Sequence, residues 1–218
     1  MIQLENLTKY YPTKDGRRYV FRNVNYALPE TGNIGVLGYN GAGKSTLMRL
    51  IGGTDFANSG RVKTDCRISW PIGLSSGFQG SLTGRENVKF VSRVYGDDAA
   101  TRIERLEYVA DFAEIGDYFN MPVNTYSSGM RSRLSFGLSM AFDFDVYLVD
   151  EVIAVGDKQF KEKSQAAFRQ KQEKARLITV SHDLSLLKSL CNVGIVLNQG
   201  EFQSFDNIED AISAYQQL

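Results

Sequence analysis

One stretch constrains this chain more than any other. Gly38-Tyr39-Asn40-Gly41-Ala42-Gly43-Lys44-Ser45-Thr46 fits the pattern of a glycine, any four residues, then Gly-Lys-Ser/Thr. Its flanks supply the required context. Asn33-Ile34-Gly35-Val36-Leu37 is short, apolar and strand-like, and Ser45-Thr46-Leu47-Met48-Arg49-Leu50-Ile51 reads as a helix. Glycines at 38, 41 and 43 let the backbone turn so that several N–H groups point at one phosphate chain. The new helix adds the positive end of its dipole there. Lys44 can reach the β- and γ-phosphates, and the Ser45 hydroxyl can sit on Mg²⁺. Gly38, Asn40, Gly41, Ala42, Gly43, Lys44, Ser45 and Thr46 are therefore the nucleotide-contacting candidates, and a nucleoside triphosphate is the implied ligand.

Composition narrows the remaining choices. With 218 residues and a 43 % apolar fraction, the chain has room for one large α/β domain carrying an inserted subdomain. Its 25 basic and 25 acidic residues balance, which gives no sequence-wide pull towards nucleic acid. Cys66 and Cys191 lie far apart without metal-ligand spacing and read as reduced thiols, as a cytosolic setting allows. The first residues lack a signal-peptide pattern. No stretch approaches the roughly 20 apolar residues of a membrane span, so any membrane role is expected to come through a partner.

Read in order, Ile2 to Leu7 alternates as a half-buried strand, Pro12 and Asp15-Gly16 mark a turn, and Tyr19 to Leu28 resumes strand character. This predicts an N-terminal antiparallel β subdomain. Lys9-Tyr10-Tyr11 falls between its strands, where an aromatic ring can stack on an adenine, although buried packing is the commoner fate of a tyrosine. Arg61 to Trp70 reads as a strand and Gly73 to Gly84 as a mobile stretch. Asp97 and Asp98 can cap a helix running to about Glu114, with Ile103, Leu106, Ala110 and Ala113 on one face. A helical subdomain is expected at about 82 to 128, inserted into the α/β core. Ser127-Ser128 opens another helix. Lys161 to Arg176 reads as a charged helix, Val193 to Leu197 and Glu201 to Phe205 as a hairpin, and Asp206 as the cap of a final helix.

Two further sites carry chemistry. Val146-Tyr147-Leu148-Val149-Asp150-Glu151 puts adjacent carboxylates at the carboxyl end of a buried strand, the edge at which open α/β sheets bind ligands. Asp150 would hold Mg²⁺, and Glu151, one step further out, would polarise an attacking water. His182, the single histidine, follows the strand Leu177-Ile178-Thr179-Val180. A lone histidine is more often structural, but parallel-strand logic puts this one on the edge that carries Asp150, within reach of a γ-phosphate or its attacking water.

Together these motifs resemble the ATP-binding cassette ATPases, over essentially the whole chain. Tyr126-Ser127-Ser128-Gly129-Met130 stands where the family carries Leu-Ser-Gly-Gly-Gln, departing at its first, third and fifth positions. The resemblance implies a P-loop NTPase core and a homodimer in which Ser127, Ser128 and Gly129 contact the nucleotide held by the other subunit. It matches Tyr11 to the adenine-stacking aromatic and Asp157 to the aspartate that communicates across the dimer. It also matches His182 to the switch histidine, and makes Gln79 the best candidate for the glutamine that senses Mg²⁺ and couples to the membrane partner.

The stretches Gly77 to Asn87, Tyr126 to Arg133 and Asp150 to Asp157 are similar to the branch that exports bacterial surface polysaccharides, in the short form of the capsular exporters. The resemblance thus implies an ATPase that uses ATP and Mg²⁺ on the cytoplasmic face of the inner membrane. It would be bound to an integral-membrane permease that handles the polysaccharide, with no nucleic-acid partner. Alternatives are an O-antigen or teichoic acid exporter, a non-transport cassette acting on ribosomes or nucleic acid, and a non-enzymatic nucleotide-gated scaffold.

Overall fold

The computed structural model describes residues 1–72, 78–150 and 157–218. These divide into two compact units. One comprises 1–71, 144–150 and 174–218; the other comprises the described residues of 72–143 together with 157–173.

The first unit opens with a three-stranded antiparallel sheet. Strand β1 (Ile2–Thr13) pairs with both β2 (Gly16–Ala27) and β4 (Ser59–Thr64), giving the order β2-β1-β4. Its burial shows how an irregularity keeps the apolar side inward. Ile2 and Leu4 are buried at even positions, then Asn6 takes a left-handed conformation (φ 49°) and the register shifts, so that Leu7 and Lys9 are buried at odd ones. The strand thus runs well past Leu7, and Lys9, Tyr10 and Tyr11 lie within it rather than between strands. The turn falls at Lys14 and Asp15, so β2 begins at Gly16. The strand expected over Arg61 to Trp70 is two strands, β4 and β5 (Ile68–Ile72), which belong to different sheets.

The second sheet has six strands. β3 (Ile34–Leu37), fully buried, sits between β7 (Arg176–Val180) and β8 (Val193–Asn198). β6 (Val146–Asp150) lies beyond β7, β5 closes one edge and β9 (Glu201–Phe205) closes the other. Strands β6, β7, β3 and β8 are parallel, whereas β9 returns antiparallel to β8 as the expected hairpin. Helix α1 (Lys44–Ile51) buries Leu47, Met48, Leu50 and Ile51 with Ile34, Val36, Leu148 and Ile178 in the main core. Helix α6 (Leu184–Leu190) and helix α7 (Ile208–Gln216) pack Leu187, Ala211 and Ile212 with Leu37 and Val196 in a second cluster. The cap of α7 is Asn207, whose Oδ1 accepts from Glu209 N at 2.9 Å, and not Asp206.

The second unit is helical: α2 (Gly84–Val94), α3 (Ala99–Ala113), two short 3₁₀ turns, α4 (Ser128–Met140) and α5 (Lys158–Gln172). It takes in α4 and α5 as well as the stretch expected at about 82 to 128. Asp98 caps α3 through Thr101 N at 2.8 Å. The buried face of α3 is Leu106, Val109, Phe112 and Ala113, while Ile103 is 56 % exposed, so the apolar stripe is displaced from the expected one. The Phe112 ring lies 5.9 Å from Phe136 and 5.6 Å from Phe160, joining α3, α4 and α5. Helix α5 ends at Gln172, and Arg176 starts β7. No helix among the described residues is long and apolar enough to cross a membrane.

Candidate functional site

Three neighbouring parallel strands end at one edge of the six-stranded sheet. Val36 of β3 is level with Val180 of β7, and Val180 is level with Asp150 of β6. The loop after Leu37, the Asp150 carboxylate and His182 just past β7 consequently emerge side by side, at the carboxyl ends where such sheets bind ligands. A cavity of about 460 Å³ opens there. Its walls carry the expected Asn40, Gly41, Gly43, Lys44, Ser45 and Thr46 from the loop, Asp150 and His182 from the strand ends, and Tyr11 from β1.

The loop's shape depends on glycine at two points in particular. Gly38 has φ +153°, and a Cβ there would lie 2.3 Å from the Leu197 carbonyl oxygen. Gly43 has φ +106°, and its Cβ would meet Val20 Cγ1 at 2.6 Å. Gly43 also caps α1 with no side chain, and the first turn of α1 has no acidic residue, so the helix turns bare N–H groups towards the cavity. Lys44 is 8 % exposed, and its Nζ donates to the Gly38 carbonyl at 2.6 Å and the Tyr39 carbonyl at 3.1 Å. Gly38 and Ala42 do not line this cavity. Gly38 contributes its carbonyl to Lys44, whereas Ala42 N donates to Tyr39 O at 3.1 Å and lines a second opening of about 420 Å³ with Tyr39 and Tyr19.

Tyr11 is held by its hydroxyl. The phenol donates to Asp55 Oδ2 at 2.8 Å, and Lys9 Nζ, 8 % exposed as a side chain, sits 2.5 Å from Asp55 Oδ1 and 4.8 Å from the Tyr11 ring centroid. Burial alone would raise the Asp55 pKa. Hydrogen bonds from Lys9, Tyr11 and the Phe56 N–H outweigh it and hold the carboxyl below the usual range. Arg49 reaches both the Tyr11 hydroxyl at 3.4 Å and Thr46 Oγ1 at 3.3 Å, tying β1 to α1.

The oxygen donors on this wall fit a magnesium ion. The Ser45 hydroxyl and the Asp150 carboxylate are the hard ligands that Mg²⁺ takes alongside phosphate oxygens and water. Glu151 lies outside the described residues.

The other expected residues belong to the second unit. Ser127 caps α4, its Oγ accepting from Met130 N at 3.2 Å, and Ser127, Ser128 and Gly129 are exposed at a helix start without an acidic residue in its first turn. Asp157 caps α5 through Phe160 N at 3.0 Å and accepts from Arg133 at 2.5 Å. The Phe160 N–H first and the Arg133 guanidinium next hold its carboxyl below the ordinary range. Arg133 also reaches Glu114 at 3.3 Å, so α4 and the start of α5 share one charged cluster. Gln79 is fixed by its backbone: its N–H donates to Asn87 Oδ1 at 2.9 Å and its carbonyl accepts from Asn87 Nδ2 at 3.2 Å, while its amide donates to Ser81 Oγ at 3.3 Å. The described part of the stretch expected to be mobile is therefore tied down. Thr83 and Glu86 reinforce it with a reciprocal capping box at the start of α2.

Sequence reasoning missed two groups. Thr13, Arg18 and Val20 of the first hairpin line the main cavity. Their signal was the strand pairing, which puts Arg18 opposite Tyr11 once the turn is placed at Lys14 and Asp15. Tyr126, buried at 3 % exposure, accepts from Gly84 N at 3.2 Å and donates to the Tyr118 carbonyl at 2.6 Å, joining the segment before α4 to the start of α2. Burial raises the pKa of its phenol, opposed by the Gly84 N–H.

Known proteins resemble this chain along its length. A family model described as "ABC transporter" matches residues 21–154. The polysialic acid transport ATP-binding protein KpsT of Escherichia coli is 55 % identical over 216 residues, 99 % of this chain and 98 % of that one. The capsule polysaccharide export ATP-binding protein CtrD of Neisseria meningitidis serogroup B is 41 % identical over 222 residues, with both chains fully covered. Among solved structures, the ATP-binding cassette MJ0796, a dimer bound to ADP and Pi, shares the fold. Its TM-score is 0.70 at 23 % identity, covering 94 % of this chain and 98 % of that one.

Proposed function

Since the chain belongs to the ABC transporter family, we propose that it is the ATP-hydrolysing subunit of an exporter carrying capsular, lipid-linked polysaccharide across the bacterial inner membrane. The observation that carries the chemistry is the convergence of the glycine loop, Asp150 and His182 on one cavity at the carboxyl ends of β3, β6 and β7. The cargo rests on full-length similarity to KpsT and CtrD, whose names specify polysialic acid and capsule polysaccharide.

Each residue has a role in this reading. Tyr11, braced by Asp55, offers its ring to the adenine. The amides of the cavity-lining loop residues Asn40, Gly41 and Gly43 to Thr46, at the bare start of α1, bind the phosphates, with Lys44 leaving the Gly38 and Tyr39 carbonyls for the β- and γ-phosphate oxygens. Ser45 and Asp150 would hold Mg²⁺, and Gln79 would sense it. When bound, the ion supplies neutralisation of charge on the β- and γ-oxygens. Glu151 takes the proton of the attacking water, and His182 hydrogen-bonds the γ-phosphate side. Ser127, Ser128 and Gly129 offer an uncapped-by-acid helix start to the nucleotide of a second copy, and Asp157 works across that dimer, so ATP closes two chains around two sites. The pair is peripheral to the cytoplasmic face of the membrane and drives a separate permease that handles the polysaccharide.

The test is capture of the closed state. Glu151→Gln is expected to keep ATP binding while slowing hydrolysis by roughly a hundredfold or more. Tagged and extracted with ATP from membranes of the encoding host, that variant should bring down a polytopic permease together with surface-polysaccharide assembly proteins. Recovery from cytosol alone, with ribosomal proteins or nucleic acid, would overturn the transport reading and leave the ATPase chemistry standing.

A further inference from the structure

Cations on the first antiparallel sheet are mostly accounted for by near neighbours. Lys9 pairs with Asp55, Arg61 with Glu5 at 2.7 Å, and the guanidinium carbons of Arg17 and Arg22 lie 4.6 and 4.0 Å from the ring centroids of Tyr10 and Tyr19. Arg18 is different. It is exposed and its side chain has no hydrogen bond, ion pair or ring contact among the described residues, yet it lines the cavity that holds Lys44, Ser45, Asp150 and His182. Backbone pairing puts it directly across from Tyr11, and residues opposed in an antiparallel pair share a face of the sheet. Its head lies over the phosphate loop: a Cβ built on Gly41 would meet, within 4 Å, the Arg18 Nη2 alone, at 3.7 Å. Arg18 thus starts beside the residue assigned to the base and brings its guanidinium to the loop assigned to the phosphates.

We propose that Arg18 is a second cationic ligand for the phosphate chain of the bound nucleotide, supplied by the antiparallel sheet rather than by the phosphate loop. The proposal rests on the nucleotide-site reading above. An unpartnered guanidinium beside a site for a polyanion gives up no existing ion pair on binding. Its planar fork matches paired phosphate oxygens, which the point charge of Lys44 does not. Strand β2 fixes the backbone beneath it, so the ordering cost is confined to one side chain. The contact is to phosphate rather than base, because the head overlies Gly41 of the loop while the Tyr11 ring is a neighbouring group on the sheet.

Titration of the full-length chain with Mg²⁺ and ATP, and separately with adenosine, tests this in the wild type and in Arg18→Gln, Arg18→Lys and Lys44→Ala. Loss of one charge-assisted contact predicts about tenfold weaker ATP binding in Arg18→Gln. Arg18→Lys should stay within about threefold, adenosine affinity should be unchanged, and the dependence of ATP affinity on salt should become shallower in Arg18→Gln. Arg18 is exposed, so an unchanged thermal transition is expected to show that the variant folds. Wild-type ATP affinity in Arg18→Gln would overturn the proposal. So would an equal loss of ATP and adenosine, which would mark a contact to the base. A wild type whose ATP affinity is the same as that of Lys44→Ala would instead overturn the nucleotide-site reading, and Arg18 with it.

Discussion

Replacing Asp55 by Ala removes the carboxylate that satisfies two groups at once, Lys9 Nζ at 2.5 Å and the Tyr11 hydroxyl at 2.8 Å. Lys9 is left with the Phe56 carbonyl at 2.8 Å and the face of the Tyr11 ring, in a position where its side chain is 8 % exposed. Breaking a fully buried pair costs about 3–5 kcal/mol. Asp55 is 24 % exposed, so water can reach the vacated side, and we expect about 2–3 kcal/mol. Lys9→Met alone should cost about 1 kcal/mol, because Asp55 keeps the phenol and the Phe56 N–H and is partly solvated. In the Lys9→Met background Asp55→Ala should then cost about 1 kcal/mol, a coupling of roughly 1–2 kcal/mol. The assay is urea unfolding followed by fluorescence of Trp70, the single tryptophan, which lies in the same compact unit as Asp55. The sign with pH follows from the lowered folded pKa of Asp55: the unfolded chain binds its proton first as pH falls. Its contribution is therefore full above about pH 5 and disappears as pH drops through the folded value, so wild type and Asp55→Asn should converge in acid. An Asp55→Ala chain within about 0.5 kcal/mol of wild type, or the same loss with and without Lys9, would refute the argument.

Three further perturbations have defined outcomes. Gly38→Ala forces a Cβ to within 2.3 Å of the Leu197 carbonyl oxygen, so the loop must shift; ATP affinity by calorimetry should fall at least tenfold, and an unchanged value would contradict the loop geometry. Tyr126→Phe leaves the Gly84 N–H and the Tyr118 carbonyl without their shared hydroxyl, and urea unfolding should show a loss of about 1–3 kcal/mol. Burial pushes the Cys191 thiol up to about 11, so at pH 8 only about one molecule in a thousand carries the thiolate. A disulfide reagent should therefore modify Cys66 in the folded chain and reach Cys191 only in denaturant, as counted by released chromophore.

Much of the site was legible because its parts are local. A glycine loop between an apolar strand and a helix specifies its own geometry, and a buried strand ending in Asp150 or running to His182 announces the edge on which it ends. What stayed hidden depended on pairing across distance. The alternation of β1 is carried past Leu7 by the left-handed Asn6, a conformational choice with no periodic mark, so Tyr11 was read as loop and Arg18 was not seen opposite it. Arg61 to Trp70 reads as one apolar-polar run, yet it splits between two sheets because residues 65–67 turn the chain from β1 to β6; there Arg67 N donates to Asp145 Oδ2 at 2.7 Å. Asp206 and Asn207 are equally good caps in isolation. The Ile208 N–H bonded to the Asn192 carbonyl at 2.9 Å selects Asn207. The first of the three departures from the family pattern also acquires a reason, since Tyr126 uses a hydroxyl that leucine lacks.

In the proposed function, ATP turnover at this cavity powers polysaccharide export. The most direct measurement replaces the chromosomal gene by the Glu151→Gln form in the encoding host and compares capsular polysaccharide at the surface with lipid-linked polysaccharide inside the cell. Loss of surface capsule with intracellular accumulation is the predicted result, restored by the wild-type chain and not by Lys44→Ala. Normal surface capsule in the Glu151→Gln strain would contradict the claim, and accumulation of a different surface glycan would reassign the cargo while keeping the ATPase in export.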